Sequence, residues 1–402
     1  MVHSFSCKNF YSFRDTATVC FVVNEKAPNN EGYFIAPSGV RLSKAEVVIG
    51  PNASGKTNLL KVLPFLKWLI TSSFKSGPSD PLPVKPFLFG DQKGKPSELS
   101  VEFEIDGNIY RYSFSLNESR ILFEELRVKN KTKQKVTSKK LFSRVWDEKT
   151  GRYELDDRGF NFLKEFEGLL RANASALSSA ALLNHKKSLE IFDYWQRLET
   201  NVVEAGWVGD HLLPNAMGQF IEALKFYSEN DDVKKEAEKF FSRFDLGLKS
   251  FDIVKEKSGD GTRLEVSVRH SFGMKESMLP LPYESSGTKQ LLVLLKAILL
   301  AVATGSVVVM DEFDVNLHPE LVSELFETFV RLETNPKNAQ ILFSTHSHPV
   351  LSRLDKYQIA LVEKNEDGAS ETWRLDEVSG VRADDNYYAK YIAGAYGATP
   401  KL

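Results

Sequence analysis

Eight consecutive residues, Gly50-Pro51-Asn52-Ala53-Ser54-Gly55-Lys56-Thr57, carry the plainest chemistry in the chain. Two glycines separated by four residues let backbone N–H groups curl around phosphates, at the start of a helix whose N-terminus already favours anions. Lys56 is expected to reach the β- and γ-phosphates of a nucleotide, and Thr57 to hold Mg²⁺. Far downstream, Asp311-Glu312 closes the β-branched run Ser306–Met310. An acidic pair at the C-terminal tip of a buried strand is where α/β sheets bind ligands, so Asp311 is expected to hold Mg²⁺ through water and Glu312 to polarise an attacking water. A second apolar run, Gln340–Thr345, ends in His346, which is placed to hydrogen-bond a γ-phosphate. Between these groups, Ser285-Ser286-Gly287 opens the apolar helix Leu291–Ala303. That loop reads either as an anion site of backbone N–H groups or as an ordinary helix cap.

These groups need a scaffold, and the residues around them specify one. Ala45–Ile49 and Ser306–Met310 lack alternation, as strands buried on both faces of a parallel sheet do, and Asn58–Leu63 reads as the helix after the phosphate loop. Alternating stretches Ser100–Ile105 and Ile109–Ser115, around a turn at Asp106-Gly107-Asn108, predict an antiparallel β-layer. Residues 159 to 245 are richer in helical periodicity, with Phe160, Phe162, Leu163, Phe166, Leu169 and Leu170, then Phe220, Ile221, Leu224 and Tyr227. Residues 248 to 270 return to strands. The expected division is an N-terminal lobe over 1–158, a helical insertion over 159–247 and a C-terminal lobe over 248–402, in the α/β class with a P-loop NTPase core.

Taken in chain order, the phosphate loop, long insertion, Ser-Gly loop, Asp-Glu strand and His strand resemble the ABC-type ATPase head. In that head Ser285-Ser286-Gly287 would be the signature loop, which meets the γ-phosphate of ATP held by a second subunit. Phe5-Ser6-Cys7-Lys8-Asn9-Phe10-Tyr11-Ser12-Phe13, Asn58 beside Thr57, and Asp314-Val315-Asn316-Leu317-His318-Pro319 are similar to the RecF- and SMC-related branch. Leu170–Ser178 and Tyr391–Pro400 are similar to the stand-alone ABC-type AAA ATP-binding proteins of bacteria. The resemblance implies ATP and Mg²⁺ as cofactors and a homodimer or higher homo-oligomer. Such proteins are commonly encoded beside a nuclease or toxin in anti-phage systems, which implies a separate effector protein. It also implies a Mg²⁺-sensing glutamine; Gln92, after Pro86-Phe87-Leu88-Phe89-Gly90, is the nearest candidate, and that stretch reads equally well as a surface turn. The chain departs from the family pattern at Ser286, often acidic in relatives, and at Ser347-His348-Pro349.

Composition sets the remaining bounds. With 402 residues, 42% hydrophobic and 26% charged, the chain has enough apolar material for a sizeable core. A net charge of −2 makes no overall case for nucleic acid or an anionic membrane. Cys7 and Cys20 make neither a disulfide framework nor a zinc site, and no apolar leader precedes Phe13, so a cytoplasmic protein is expected. Lys296 and Thr304-Gly305-Ser306 divide the apolar stretch Leu291–Met310 into helix and strand, which argues against a membrane span. No sustained heptads and no Cys-x-x-Cys are present, so the coiled-coil arm and zinc hook of SMC-like proteins are not expected.

Arg127 to Arg144 holds eight basic residues and no acidic one, with Lys129, Lys131, Lys133 and Lys135 at period two. This is either a patch for nucleic acid or a lysine-protected hairpin edge. After His346 only 56 residues remain, which are expected to be too few for an appended nuclease domain, and Arg382, Asp384 and Asp385 read either as remnants of such a metal site or, without a distant glutamate partner, as a helix cap and turn. Three functions fit: an ATPase governing a separate effector, a RecF-type ATP-dependent DNA-binding protein, or a nucleotide-gated scaffold. Glu312 argues against the last, because a scaffold needs no water-polarising carboxylate.

Overall fold

The computed structural model describes residues 1–90, 94–131, 136–163, 166–202, 216–243, 247–258, 261–272, 275–315, 317–346 and 348–399. The chain opens with β1 (Val2–Lys8), β2 (Ala17–Cys20), β3 (Tyr33–Ile35), β4 (Arg41–Ser43) and β5 (Ala45–Ile49). After the glycine loop come α1 (Lys56–Leu60) and α2 (Val62–Thr71), then β6 (Ser97–Ile105), β7 (Asn108–Leu116), β8 (Ile121–Lys131), β9 (Val136–Asp147) and β10 (Arg152–Asp157). Two helices, α3 (Ala176–Leu182) and α4 (Lys186–Gln196), lead to the short β11 (Glu199–Thr200). Next are α5 (Ala216–Glu229), α6 (Asp231–Arg243), β12 (Leu248–Ser258), β13 (Gly261–Phe272) and β14 (Lys275–Pro280). The last part holds α7 (Ser286–Thr304), β15 (Val307–Met310), α8 (Pro319–Val330), β16 (Gln340–Ser344), β17 (Ile359–Lys364), β18 (Ser370–Arg374) and α9 (Tyr387–Ile392).

A six-stranded sheet, ordered β11-β15-β16-β5-β17-β18, forms the centre. Its first five strands are parallel and β18 closes the edge antiparallel. Alternation along these strands feeds two cores, one on each face of the sheet. Val48, Val307, Val309, Leu342 and Val362 enter the first, with β1, β6 to β9 and α2 to α4. Val47, Ile49, Val308, Met310, Ile341 and Phe343 enter the second, with α5 to α8 and β12 and β13. The antiparallel layer is a seven-stranded sheet, ordered β10-β9-β8-β7-β6-β1-β2. The expected architecture is therefore the one built: a parallel phosphate-loop core sheet with an antiparallel layer and helical elements. By length and composition alone α7 could cross a membrane, yet Leu291, Leu292, Leu294, Leu295, Ile298 and Ala301 are buried in the second core.

Two sequence expectations meet a different structure. Among the described residues of 160–170 there is no α-helix, and Glu167–Leu169 makes a 3-10 turn. The reason is Asp157, whose carboxylate accepts N–H bonds from Phe160, Asn161, Phe162 and Leu163 at 2.7 to 3.0 Å and so takes the donors into a turn. Next, the helices of 159–247 divide, α3 and α4 packing in the first core and α5 and α6 in the second. The basic stretch falls on the antiparallel pair β8–β9, in keeping with the hairpin-edge alternative, and four of its cations pair with carboxylates of the same sheet or its edge. Arg127 meets Glu125 at 3.1 Å, Lys129 meets Glu102 at 2.6 Å and Lys140 meets Asp156 at 3.0 Å, while Arg144 and Glu124 form a fully buried pair at 2.6 Å. Lys133 and Lys135 lie outside the described residues.

Candidate functional site

The phosphate loop leaves β5 at the C-terminal edge of the central sheet and turns back into α1. Both of its glycines are sterically required. A Cβ at Gly50 would lie 2.0 Å from the Val362 carbonyl oxygen, and Gly55 has φ of +117° with the Ser370 hydroxyl 2.3 Å from where a Cβ would stand. Lys56 Nζ donates to the carbonyl oxygens of Gly50 and Pro51 at 2.8 and 3.1 Å, so the side chain folds back over the loop it belongs to. Burial lowers the pKa of the Lys56 ammonium, while Asp311, Glu312 and Asp314 oppose that by favouring its charge.

Two distant turns brace this loop. Asn58 Nδ2 donates to Ser12 Oγ at 2.9 Å, and Ser370 Oγ donates to the Ser54 carbonyl at 2.5 Å and lies 2.8 Å from Ser12 Oγ. Arg14 to Asp367, at 2.7 Å, joins the same two turns at the surface.

The acidic pair sits at the tip of β15, held from both neighbouring strands. From β16, Ser344 Oγ donates to Asp311 Oδ1 at 2.5 Å and accepts the Glu312 N–H at 2.8 Å. Next to β11, Asn201 grips the Asp311 backbone twice: its Oδ1 accepts the Asp311 N–H at 2.7 Å, and its Nδ2 donates to the Asp311 carbonyl at 2.9 Å. Glu312 stands in the left-handed region with φ of +47°, a conformation that side-chain-bearing residues rarely adopt and that recurs at functional sites. The His346 N–H donates to Asp314 Oδ1 at 3.0 Å, fixing the tip after β16 against the turn after Glu312.

These pieces enclose a cavity of about 540 Å³ lined by Ser12, Asn52, Ala53, Ser54, Gly55, Lys56, Thr57, Asn58, Asp311, Glu312, His346 and Lys364. The sequence-predicted residues of the phosphate loop, acidic pair and terminal His thus converge, with Gly50 and Pro51 supplying carbonyls behind Lys56. Thr57 and Asp311 offer hard oxygen donors to the same cavity, the kind of sparse set Mg²⁺ accepts when phosphates and water complete its octahedron. Among the described residues no cluster of three or more His, Cys, Asp or Glu forms a larger metal site. Gln92 lies outside the described residues.

Ser285, Ser286 and Gly287 do not line this cavity. They open α7, where Ser285 Oγ caps the helix by accepting the Thr288 N–H at 3.0 Å, and both serines are exposed. Sequence reasoning missed Ser12, Asn201, Ser344, Ser370 and Lys364. Only Ser344 carried a local signal, a hydroxyl interrupting an apolar strand just before His346.

Comparison with known proteins places the chain further. No curated protein matches it. Among solved structures it is similar to the SMC head domain from Thermotoga maritima, at 16% identity over 93% of this chain and 98% of that one, with a TM-score of 0.42. It is also similar to the Smc head domain with an extended coiled coil from Pyrococcus furiosus, bound to the C-terminal domain of ScpA, at 14% identity over 94% and 97% with a TM-score of 0.43. A third similar structure is the Smc head domain with a coiled coil and joint from Pyrococcus yayanosii, at 12% identity over 98% and 99% with a TM-score of 0.44. The family model described as "AAA domain, putative AbiEii toxin, Type IV TA system" matches residues 47–353, more than half of the chain, and the protein belongs to that AAA-domain family.

Proposed function

We propose that this protein is an ABC-type ATPase that closes around ATP as a dimer, hydrolyses it with Mg²⁺, and uses that cycle in the cytoplasm to control a separate effector, a nuclease or toxin, in phage defence. The observation that carries the ATPase reading is the convergence of Lys56, Thr57, Asp311, Glu312 and His346 on one cavity. Backbone N–H groups of the loop cradle the phosphates, and Lys56 exchanges its two carbonyl partners for phosphate oxygens. Thr57 and Asp311 would hold Mg²⁺, which neutralises charge developing on the phosphates. Glu312 orients and polarises the attacking water, and His346 donates to the γ-phosphate. Ser285 and Ser286 are exposed and lie outside the chain's own cavity, which supports a dimer in which the Ser285-Ser286-Gly287 loop completes the site of a second copy. The effector reading rests on the family description, which names a toxin and a TA system.

The RecF-like reading asks for a basic groove, and Arg127, Lys129, Lys140 and Arg144 are already paired with carboxylates. The test of the ATPase reading is direct. Lys56→Ala is expected to lose ATP binding, whereas Glu312→Gln binds ATP and stalls. Phosphate release from Glu312→Gln equal to the unmodified chain would refute the role of Glu312.

A further inference from the structure

The cavity explains how a triphosphate is held but not how a base is. Every residue lining it is polar, glycine or alanine, a set matched to phosphates and a cation. A purine is a flat, apolar ring system whose natural partner is an aromatic face.

One aromatic ring stands out beside the site's missing half. Tyr283, two residues before Ser285, is 76% exposed. Its loop is not loose. Leu281 is buried in the second core, Glu284 meets His270 Nε2 at 2.5 Å, Lys289 Nζ donates to the Pro282 carbonyl at 2.8 Å, and Ser285 caps α7. The backbone is therefore pinned on both sides of a tyrosine that projects into solvent. Leaving a large ring in water forfeits the burial free energy that such a side chain ordinarily supplies, whereas a preorganised ring gains by receiving a flat ligand.

We propose that Tyr283 stacks on the base of the ATP held by the partner subunit, so that each nucleotide has its phosphates bound by one copy and its base by the other. The inference rests on the dimer reading above. Two residues of chain reach at most about 7 Å, and the tyrosine side chain adds its own length, so a ring at Tyr283 falls within reach of the sugar and base when Ser285 meets the γ-phosphate.

The probes are ATP and inorganic tripolyphosphate, which has the phosphates and no base. Tyr283→Ala is expected to raise KM for ATP about tenfold or more, the scale of one lost base stack, with kcat retained and tripolyphosphate inhibition unchanged. Tyr283→Phe keeps the ring and restores the KM. A large excess of Lys56→Ala chains also restores it to Tyr283→Ala chains, because the partner supplies the ring, whereas an excess of Lys56→Ala/Tyr283→Ala chains does not. An unchanged KM, or equal weakening of ATP and tripolyphosphate, overturns the proposal. ATP-dependent dimerisation of Glu312→Gln, followed by sedimentation, separates the two readings. Absence of a dimer removes the basis of both, whereas a dimer with an unchanged Tyr283→Ala KM removes only the stacking.

Discussion

Asn201 shows how one side chain can govern a site it does not chemically enter. Its amide serves both the N–H and the C=O of Asp311, so the acidic tip of β15 is fixed on both sides of its first carboxylate. Without the amide both backbone groups need new partners, and Asp311 and Glu312 lose their aim together. Asn201→Ala is expected to lower kcat about ten- to a hundredfold while ATP affinity changes little, since small misplacements of catalytic groups cost on that scale. Steady-state turnover beside equilibrium ATP binding decides the point, and an unchanged kcat would show that Ser344 alone suffices. A second residue, Glu46, matters for stability rather than chemistry. It lies mid-strand in β5, fully buried, and among the described residues neither carboxyl oxygen has a hydrogen-bond partner. Burial holds its pKa well above the ordinary 4.5, against the pull of Arg374 and with help from Asp355 and Asp376. The fold therefore keeps the neutral acid while the unfolded chain ionises at the ordinary value. Stability from this group is full below about 4.5 and declines as pH rises toward the elevated folded value. Glu46→Gln removes that ionisation, so its Tm should exceed the unmodified chain's at pH 8, with the advantage shrinking toward pH 5. Parallel Tm profiles of the two proteins would contradict this.

Among elements, the antiparallel layer reaches the phosphate-loop helices through one buried charge network. Arg144 on β9 pairs with Glu124 on β8 and donates to the carbonyls of Arg171 and Ala174, while Glu124 also accepts from Tyr112 and from the Ala176 N–H. Arg171 in turn donates to the carbonyls of Phe74 and Ser76, just beyond α2. Arg144→Leu strands the Glu124 carboxylate in a dry site and is expected to destabilise the fold by about 3–5 kcal/mol, read as a lower urea midpoint. Adding Glu124→Leu should recover part of the loss; no recovery would assign the damage to packing alone. This network also marks where sequence reading stops. β5, β15 and β16 were legible because strands buried on both faces lose alternation, and the β6–β7 hairpin because Asp106-Gly107 takes the positive φ values its turn requires. The phosphate loop and acidic pair were legible because their chemistry is written in contiguous residues. β11 was not, since two residues carry no period, and Asn201 acquires its role only when Glu199 and Thr200 pair with Val308 and Val309. Phe160, Phe162 and Leu163 misled because apolar spacing fits a helix equally well, and Asp157 holds that stretch in a turn by taking four N–H groups.

At the scale of the whole molecule, the proposed dimer divides each nucleotide site into two halves carried by different copies. One half is the cavity with Lys56, Asp311 and Glu312; the other is the exposed start of α7 with Ser285, Ser286 and Gly287, which is no part of that cavity. If two copies meet about a two-fold axis, each gives its serine loop and receives its partner's, so two sites form at once and neither is complete in a single chain. Turnover should then fall with dilution more steeply than the concentration of chains. A sharper expectation comes from mixing two inactive variants. Lys56→Ala removes the phosphate half of a site and Ser285→Arg blocks the serine half, so each alone is dead in both sites of its own dimer. In a mixed dimer, the Ser285→Arg chain's intact cavity faces the Lys56→Ala chain's intact serine loop, and one site is whole. Random pairing of equal amounts makes half of the dimers mixed, each with one working site of two, so activity should return to about a quarter of the unmodified level. Failure to regain any activity, while each variant still folds, would place Ser285 outside the shared site. Activity that is independent of dilution would remove the need for a second copy altogether.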